Sequence, residues 1–360
     1  MNIVIGAISV FVISFIVSFL LTPLIIRFST GHNIGSCPNH RTIHKKFIPS
    51  MGGLAIFAGF FVGSTMIYFM FKDTIHIYNG HFWGILIGSA FILFIGIYDD
   101  LKGANCYEKF VIQVIAAGIA YYFGFRIEYI TNPFGSPINL GVFSIPVTLL
   151  WIAGISNAIN LMDGLDGLAA GMSSIVSIII LLIAYKLGNI GIVIVTLPLI
   201  GALLGFIKYN FNPAKVFMGD TGSLFIGFLL ACISIKGSLE SSTTIMILVP
   251  LTILGIPILD TVLAIVRRVI LKQHPFRADK EHIHHRLLKK GLNHKQAVIV
   301  IYLACVFLGI YSILMTLLNY RFPGIFLLIL LILVVISIHK LGYVTLIVNK
   351  RKEKIRGRVK

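Results

Sequence analysis

Charged residues are scarce in this sequence. Asp, Glu, Lys and Arg make up 12% of its 360 residues, whereas 57% are hydrophobic. Soluble domains carry about a quarter charged residues, so this composition excludes an ordinary soluble fold. Cysteine is also rare, and the four cysteines lack the paired spacing of a disulfide framework or a zinc site.

Acidic residues are the rarer charged class, with 13 Asp and Glu against 30 Lys and Arg. No nucleic-acid-binding motif accompanies this basic excess, so we expect no nucleic-acid partner. When alternate loops between apolar runs are compared, Lys and Arg concentrate in one set. The positive-inside rule therefore predicts an outer N-terminus and a cytoplasmic C-terminus. The opposite set of loops holds only Lys72, Arg126, Lys186, Lys236 and Arg321.

Eleven apolar runs approach the length of about 20 residues that a membrane-spanning helix needs. They predict an all-α polytopic membrane protein, with one transmembrane domain over residues 1–348 and a basic cytoplasmic tail over 349–360. The first run lacks a basic leader and a cleavage site, so it is interpreted as a retained helix. The predicted spans are residues 3–26, 50–71, 81–98, 110–125, 144–162, 167–186, 190–208, 221–236, 244–270, 297–318 and 323–347.

Two irregular features interrupt these runs. The ninth run contains Gly255 and Pro257, and a proline inside a helix removes a backbone hydrogen bond, so a broken helix is predicted there. Between the fourth and fifth runs, the turn signals Asn132-Pro133 and Gly135-Ser136 follow a short β-prone stretch. This pattern predicts a short β-hairpin on the outer face.

Acidic residues lie where apolar runs meet the cytoplasmic loops. Carboxylates next to a membrane are costly and are therefore candidates for function. Asp99 and Asp100 end the third run, where two anions oppose the helix dipole. Neighbouring helical residues point about 100° apart, so one carboxylate could bind a metal while the other contacts substrate.

A second polar group follows the fifth run. Asn157, Asn160 and Asp163 recur every three residues and would share one face of a continuing helix. Gly164 would let the backbone approach a ligand, whereas Asp166 could instead cap the next helix. Capping alone leaves the asparagines unexplained, so ligand binding is favoured.

Asp220 lies in the turn-rich segment 210–223 and has two interpretations. It could be a helix N-cap, or it could join Asn160 and the Asp99-Asp100 pair as an oxygen ligand. Such ligands favour Mg²⁺, or Mn²⁺, over zinc.

The longest cytoplasmic loop is rich in histidine over residues 275–286, here called the histidine loop. His282, His284 and His285 are followed by Arg286, and no thiolate or suitable carboxylate accompanies them as zinc ligands. A phosphate clamp is therefore favoured. Lys45 and Lys46 precede the second span and either bind a lipid phosphate or only mark topology.

Oxygen ligands and cations at the membrane edge suit phosphoryl transfer from a soluble nucleotide to a lipid phosphate, because both reactants are anionic. A transporter that uses membrane-embedded acids such as Asp260 is the rival hypothesis. Most acids lie near one surface, which favours an enzyme.

Four motifs occur here in the order typical of one family. They are Tyr98-Asp99-Asp100 with Lys109, residues 157–171, residues 211–228 and residues 279–288. From about residue 20 to 300, the sequence resembles the polyprenyl-phosphate N-acetylhexosamine-1-phosphate transferases. The histidine loop is similar to that of the bacterial undecaprenyl-phosphate N-acetylglucosamine (GlcNAc) 1-phosphate transferases.

The resemblance implies transfer of GlcNAc 1-phosphate from UDP-GlcNAc to undecaprenyl phosphate at the cytoplasmic face of a bacterial plasma membrane. This would be the first membrane step of a cell-envelope glycan pathway, such as that of teichoic acid or O-antigen. UDP-GalNAc and UDP-MurNAc-pentapeptide are alternative donors, and a homodimer is an open expectation.

The resemblance also implies roles for individual residues. Asp99 and Asp100 would take part in catalysis, and Asp220 and Asn160 would bind the metal. The residues implied to contact the diphosphate are Lys109, His282, His284 and Arg286, those implied to contact the uridine are Gly164, Leu165, Asp166 and Phe217, and Lys45 or Lys46 would contact the lipid phosphate.

Overall fold

The computed structural model describes residues 3–36, 47–71, 79–130, 132, 137–239, 248–274, 281–318, 323–340 and 342–343. In these ranges the chain is a helical bundle with two short antiparallel strand pairs. Strand β1 (Gly35–Ser36) pairs with β2 (Ile48–Pro49), and β3 (Tyr129–Ile130) pairs with β4 (Ile138–Asn139). The helices are α1 (Ile3–Gly31), α2 (Gly53–Phe71), α3 (Asn79–Lys102), α4 (Cys106–Tyr122), α5 (Ser144–Met162), α6 (Leu168–Lys186), α7 (Ile190–Asn210), α8 (Gly219–Leu239), α9 (Leu248–Ile253), α10 (Gly255–Ile270), α11 (Ile283–Lys289), α12 (His294–Leu317) and α13 (Pro323–Lys340).

Within the described ranges, eight helices are long and apolar enough to cross a membrane, namely α1, α2, α3, α5, α6, α7, α8 and α12. The predicted all-α polytopic architecture is therefore confirmed. The other three predicted spans correspond to α4, to the pair α9 and α10, and to α13. A count of eleven spans, their orientation and the outer location of the β3–β4 pair stay predictions. The predicted basic tail, residues 349–360, lies outside the described residues.

The ninth predicted span is divided into two helices. Helix α9 ends at Ile253 and α10 begins at Gly255, with Leu254 between them. Pro257 falls in the first turn of α10, where its missing N–H costs nothing because the first N–H groups of a helix have no partner within it. The proline is therefore compatible with the start of the second helix, which begins at Gly255.

Small residues bring α1, α2 and α7 into close contact. A Cβ added at Gly59 of α2 would lie 2.7 Å from the Ser14 carbonyl oxygen of α1, and one at Gly205 of α7 would lie 2.5 Å from the Phe15 carbonyl oxygen. Such close backbone contacts are typical of helices packed in a membrane, where small residues allow van der Waals contact.

The N-terminus of α8 lies between α2 and α3. A Cβ at Gly53 would be 2.1 Å from the Gly222 nitrogen, and a Cβ at Gly96 would be 2.5 Å from the Thr221 Cα. Glycine is therefore required on both neighbouring helices. This packing places the first turn of α8 beside the end of α3, where the acidic residues lie.

Candidate active site

Four helices contribute to one polar cluster at an end of the bundle. The Lys109 Nζ of α4 lies 2.8 Å from Asp99 Oδ2 of α3 and 2.5 Å from Asp220 Oδ2 of α8. The Asn160 Nδ2 of α5 donates to Asp220 Oδ1 at 2.9 Å. We call Asp99, Lys109, Asn160 and Asp220 the carboxylate cluster. These residues were all selected from the sequence, and the tertiary structure brings them into contact.

Asp100 has a different environment from Asp99. Its carboxylate accepts the backbone N–H groups of Asp220 at 3.0 Å and Thr221 at 3.1 Å, and the Thr221 hydroxyl at 2.6 Å. Asp100 thus caps α8 from another helix. Gly219 has a φ of +73°, and a Cβ there would lie 2.4 Å from Asp100 Oδ2. The interpretation of Asp220 as the N-cap is therefore wrong, because Asp100 supplies the cap.

Asp166 joins two loops instead of capping α6. Its Oδ2 accepts Asn212 Nδ2–H at 2.8 Å and Ala214 N–H at 3.0 Å. The N-cap position of α6 is Gly167, which has no side chain to cap the helix. The predicted capping alternative is wrong for this reason. Asn210, the last residue of α7, was not among the predicted site residues; it accepts the Gly167 N–H at 3.1 Å and so connects α7 to the loop after α5.

The predicted stripe of Asn157, Asn160 and Asp163 is wrong as a continuous helical face. Helix α5 ends at Met162, so Asp163 lies beyond the helix. Asn157 Nδ2 donates to Gln113 Oε1 of α4 at 2.6 Å and so contacts α4, whereas Asn160 contacts α8. Gln113 follows Lys109 by four residues, and this one-turn spacing is the signal that could have identified it.

Asp163 lies next to the carboxylate cluster. Partial burial, followed by repulsion from Asp220, Asp100 and Asp166, raises its pKa well above the ordinary aspartate range. Each of these acids favours protonation of Asp163, so the surroundings carry an excess of negative charge. A cation bound here would relieve that repulsion.

The predicted histidine loop is partly helical, because His284, His285 and Arg286 lie in α11, and this helix start meets the loop after α5. His284 is 2% exposed, and a Cβ added at Gly164 would lie 2.4 Å from its Nε2. Burial, together with the neighbouring His285, lowers the pKa of His284 to about 3. The ring is therefore neutral near pH 7. Neither of its ring nitrogens has a hydrogen-bond partner in the described part of the chain.

Other histidine-loop residues have distinct surroundings. The rings of His282 and His284 are parallel with centroids 5.9 Å apart, and the His285 ring lies 4.2 Å from that of His284. Arg286 donates to the Gly342 carbonyl at 3.0 Å, and its guanidinium lies 4.8 Å from the Tyr343 ring centroid. Its predicted diphosphate contact stays a prediction. Tyr343 lies outside every motif, so no local signal could have identified it.

The remaining predicted substrate residues are distributed around the same end. Leu165 is 3% exposed. Phe217 is half-buried, donates its N–H to the Pro49 carbonyl at 2.8 Å and accepts the Gly52 N–H at 3.0 Å. The segment before α2 therefore borders the site. Lys45 and Lys46 lie outside the described residues.

The oxygen ligands of the cluster suit a magnesium ion that has only a few protein ligands, rather than a metal enclosed entirely by side chains. Over the residues described, no three His, Cys, Asp or Glu side chains converge as a metal shell. Magnesium commonly takes one or two carboxylates and completes its shell with water and substrate phosphates. Asp220 and Asn160, in mutual contact, fit this pattern.

The fold and the site define a multi-pass helical membrane protein with a carboxylate site at one end of its bundle. Residues 82–238 match the family model for glycosyl transferase family 4. The chain is 41% identical over 296 residues to a probable undecaprenyl-phosphate N-acetylglucosaminyl 1-phosphate transferase of Bacillus subtilis, covering 81% of this chain and 80% of that protein. The chain belongs to glycosyl transferase family 4 and is a transferase.

Two further relatives match 74% and 66% of this chain. A decaprenyl-phosphate N-acetylglucosaminephosphotransferase of Mycobacterium tuberculosis is 34% identical over 290 residues, covering 74% of this chain and 72% of the relative. A phospho-N-acetylmuramoyl-pentapeptide-transferase of Streptococcus mutans is 35% identical over 256 residues, covering 66% and 74%. The resemblance inferred from the motifs is thus confirmed at the level of the family.

Proposed function

We propose that the protein transfers GlcNAc 1-phosphate from UDP-GlcNAc to undecaprenyl phosphate. A phosphate oxygen of the lipid attacks the sugar-linked phosphorus, the bond from that phosphorus to the UMP oxygen breaks, and GlcNAc-diphosphoundecaprenol and UMP result. The observation that carries the proposal is the carboxylate cluster, in which Lys109 lies between Asp99 and Asp220. The similarity to the Bacillus subtilis protein supports the choice of donor and acceptor.

The reaction brings two anions together, so charge must be neutralised before attack. Asp220 and Asn160 would hold Mg²⁺, with Mn²⁺ as a substitute, and the ion would neutralise charge on the diphosphate. Lys109 and the histidine loop supply further positive or hydrogen-bonding groups. The contacts of Asp100 favour a positioning role, which leaves Asp99 as the acid of that pair facing substrate.

The remaining contacts favour a nucleotide beside the loop after α5. Gly164, Leu165, Asp166 and Phe217 would surround the uridine, because Asp166 ties that loop to the segment before α8. Lys45 or Lys46 would bind the lipid phosphate.

The charge of the loops supports a cytoplasmic site in a bacterial plasma membrane. The product would enter a cell-envelope glycan pathway. The proposal also includes assembly of the protein as a homodimer.

A second candidate is the same chemistry with another donor. The similarity to the Streptococcus mutans protein supports UDP-MurNAc-pentapeptide, and UDP-GalNAc is a further candidate. The transporter hypothesis receives no support from Asp260, which hydrogen-bonds to His282 in a packed region.

The test is UMP release from UDP-GlcNAc by purified protein in detergent. Omission of undecaprenyl phosphate, omission of Mg²⁺, and the Asp220→Ala change should each abolish release. Gly154→Ala is a matched control, because a Cβ at Gly154 meets no atom within 4 Å. Release with a different UDP-sugar alone would correct the donor, and no release with any donor would refute the proposal.

A further inference from the structure

One buried carboxylate lies outside the carboxylate cluster and contacts the histidine loop. Asp260 of α10 is 1% exposed. Its Oδ2 lies 2.7 Å from His282 Nδ1, and its Oδ1 accepts the Ile283 N–H at 2.7 Å. The two oxygens of this carboxylate therefore contact two consecutive residues at the start of α11.

The backbone contact has a clear physical function. His282 occupies the N-cap position of α11 but makes no side-chain cap hydrogen bond. The first N–H groups of a helix have no partner within it, and a buried N–H without an acceptor is costly. Asp260 supplies that acceptor from α10 and thereby fixes where α11 begins.

The ring contact determines how His282 presents its other nitrogen. A carboxylate accepts a hydrogen bond, so Nδ1 carries a proton. Nε2 is then an acceptor in the neutral ring and a donor in the imidazolium, and only the donor form can bind a phosphate oxygen. The His282 ring is parallel to that of His284, which lies against Gly164. A change at Asp260 would therefore alter the position of His282 and, through His284, the packing of the loop that borders the carboxylate cluster.

We infer that Asp260 is a positioning residue for the reaction: it seats α11 and holds the His282 ring by Nδ1, so that Nε2–H of the imidazolium can donate to the donor diphosphate. This inference rests on the proposed function. The acid that suggested transport in the sequence thus has a role in the transferase site. Carboxylates that orient metal-bound histidines typically change activity by about 10- to 100-fold when they are removed, and we expect an effect of that order for Asp260.

The test is a double-mutant cycle that joins Asp260→Asn with His282→Gln. The Asn side chain preserves volume and an acceptor for Ile283 but offers an N–H to the His282 ring. We expect kcat/KM for UDP-GlcNAc to fall by about tenfold or more. In the His282→Gln background, the same change should cost less than about twofold, because interacting residues are not additive.

Measurements of ligand binding distinguish a positioning role of Asp260 from a general loss of structure in the variant. Asp260→Asn should weaken UDP binding while leaving uridine binding within about twofold, since uridine lacks the diphosphate. Thr261→Val is the matched control, because its buried hydroxyl has no described hydrogen-bond partner, and it should retain full activity. If Asp260→Asn does not fold, Asp260→Glu, which keeps the charge, takes its place in the cycle.

Additive effects in the cycle, equal losses for UDP and uridine, or full activity of the Asp260 variant would each overturn the inference. Failure of the proposed function looks different. In that case the wild-type protein would release no UMP from UDP-GlcNAc, while the UDP and uridine measurements would still report on Asp260.

Discussion

The contact between Gly164 and His284 gives the sharpest test of the site. Gly164 lies in the loop after α5 and His284 in the first turn of α11, and the imidazole occupies the space that a side chain at position 164 would need. A Cβ built at Gly164 would lie 2.4 Å from Nε2 and 2.8 Å from Cε1 of His284. Gly164→Ala therefore inserts one methyl group directly between that loop and α11.

The size of the effect follows from this geometry. The ring or the loop must move by about 1 Å to restore an ordinary contact distance. His284 is buried, so the ring cannot simply rotate into solvent. Overpacking of this kind costs about 1–3 kcal/mol of stability. A displacement of about 1 Å at a reacting site can lower the rate about 100-fold.

The assay compares kcat/KM for UDP-GlcNAc in wild type, Gly164→Ala and the control Gly154→Ala. We expect a loss of about 100-fold for the first variant and no loss for the second. UDP affinity measured by calorimetry should fall in parallel for Gly164→Ala. A Gly164→Ala protein with wild-type kcat/KM and wild-type UDP affinity would refute the placement of His284 against this loop.

Three other substitutions test separate parts of the site. Asp100→Ala should lower the thermal midpoint in detergent more than Asp99→Ala, because hydrogen bonds from Asp220 and Thr221 to the charged Asp100 are worth about 1.5–3 kcal/mol each. Lys109→Met should lower kcat yet reduce the Mg²⁺ concentration for half-maximal activity by about threefold or more, because Asp99 and Asp220 lose their cation. His284 has a folded-state pKa of about 3 against about 6.5 unfolded, so the unfolded state binds more protons between these values. Wild-type stability should fall as pH drops through that window, and His284→Gln should lose less stability there in thermal melts.

Each of these outcomes can fail independently. Equal midpoints for the Asp99 and Asp100 variants would contradict the capping role of Asp100. An unchanged or higher Mg²⁺ requirement in Lys109→Met would contradict its place between the two carboxylates. Parallel pH-stability curves for wild type and His284→Gln would show that the ring is protonated in the folded protein.

The sequence alone predicted that the fold lies in a membrane, and it predicted the members of the carboxylate cluster. Long apolar runs determine membrane helices because hydrocarbon leaves the backbone no partner outside the helix. The sequence could indicate the carboxylate cluster because polar and charged groups beside a membrane are energetically costly and are therefore candidates for function. Its members are Asp99, Lys109, Asn160 and Asp220. The broken ninth span could also be predicted, since Gly255 and Pro257 act on the local backbone.

Only the tertiary structure decided what these side chains contact. Asp100 caps α8, Asp166 ties two loops together, and Asp260 holds His282, and each contact joins residues at least 22 positions apart in the chain. Local spacing can predict a cap within one helix, but it contains no information about a cap supplied by another. The partner of a buried carboxylate is determined by which helices pack together, and that packing depends on glycines whose importance appears only when a neighbouring backbone is in place.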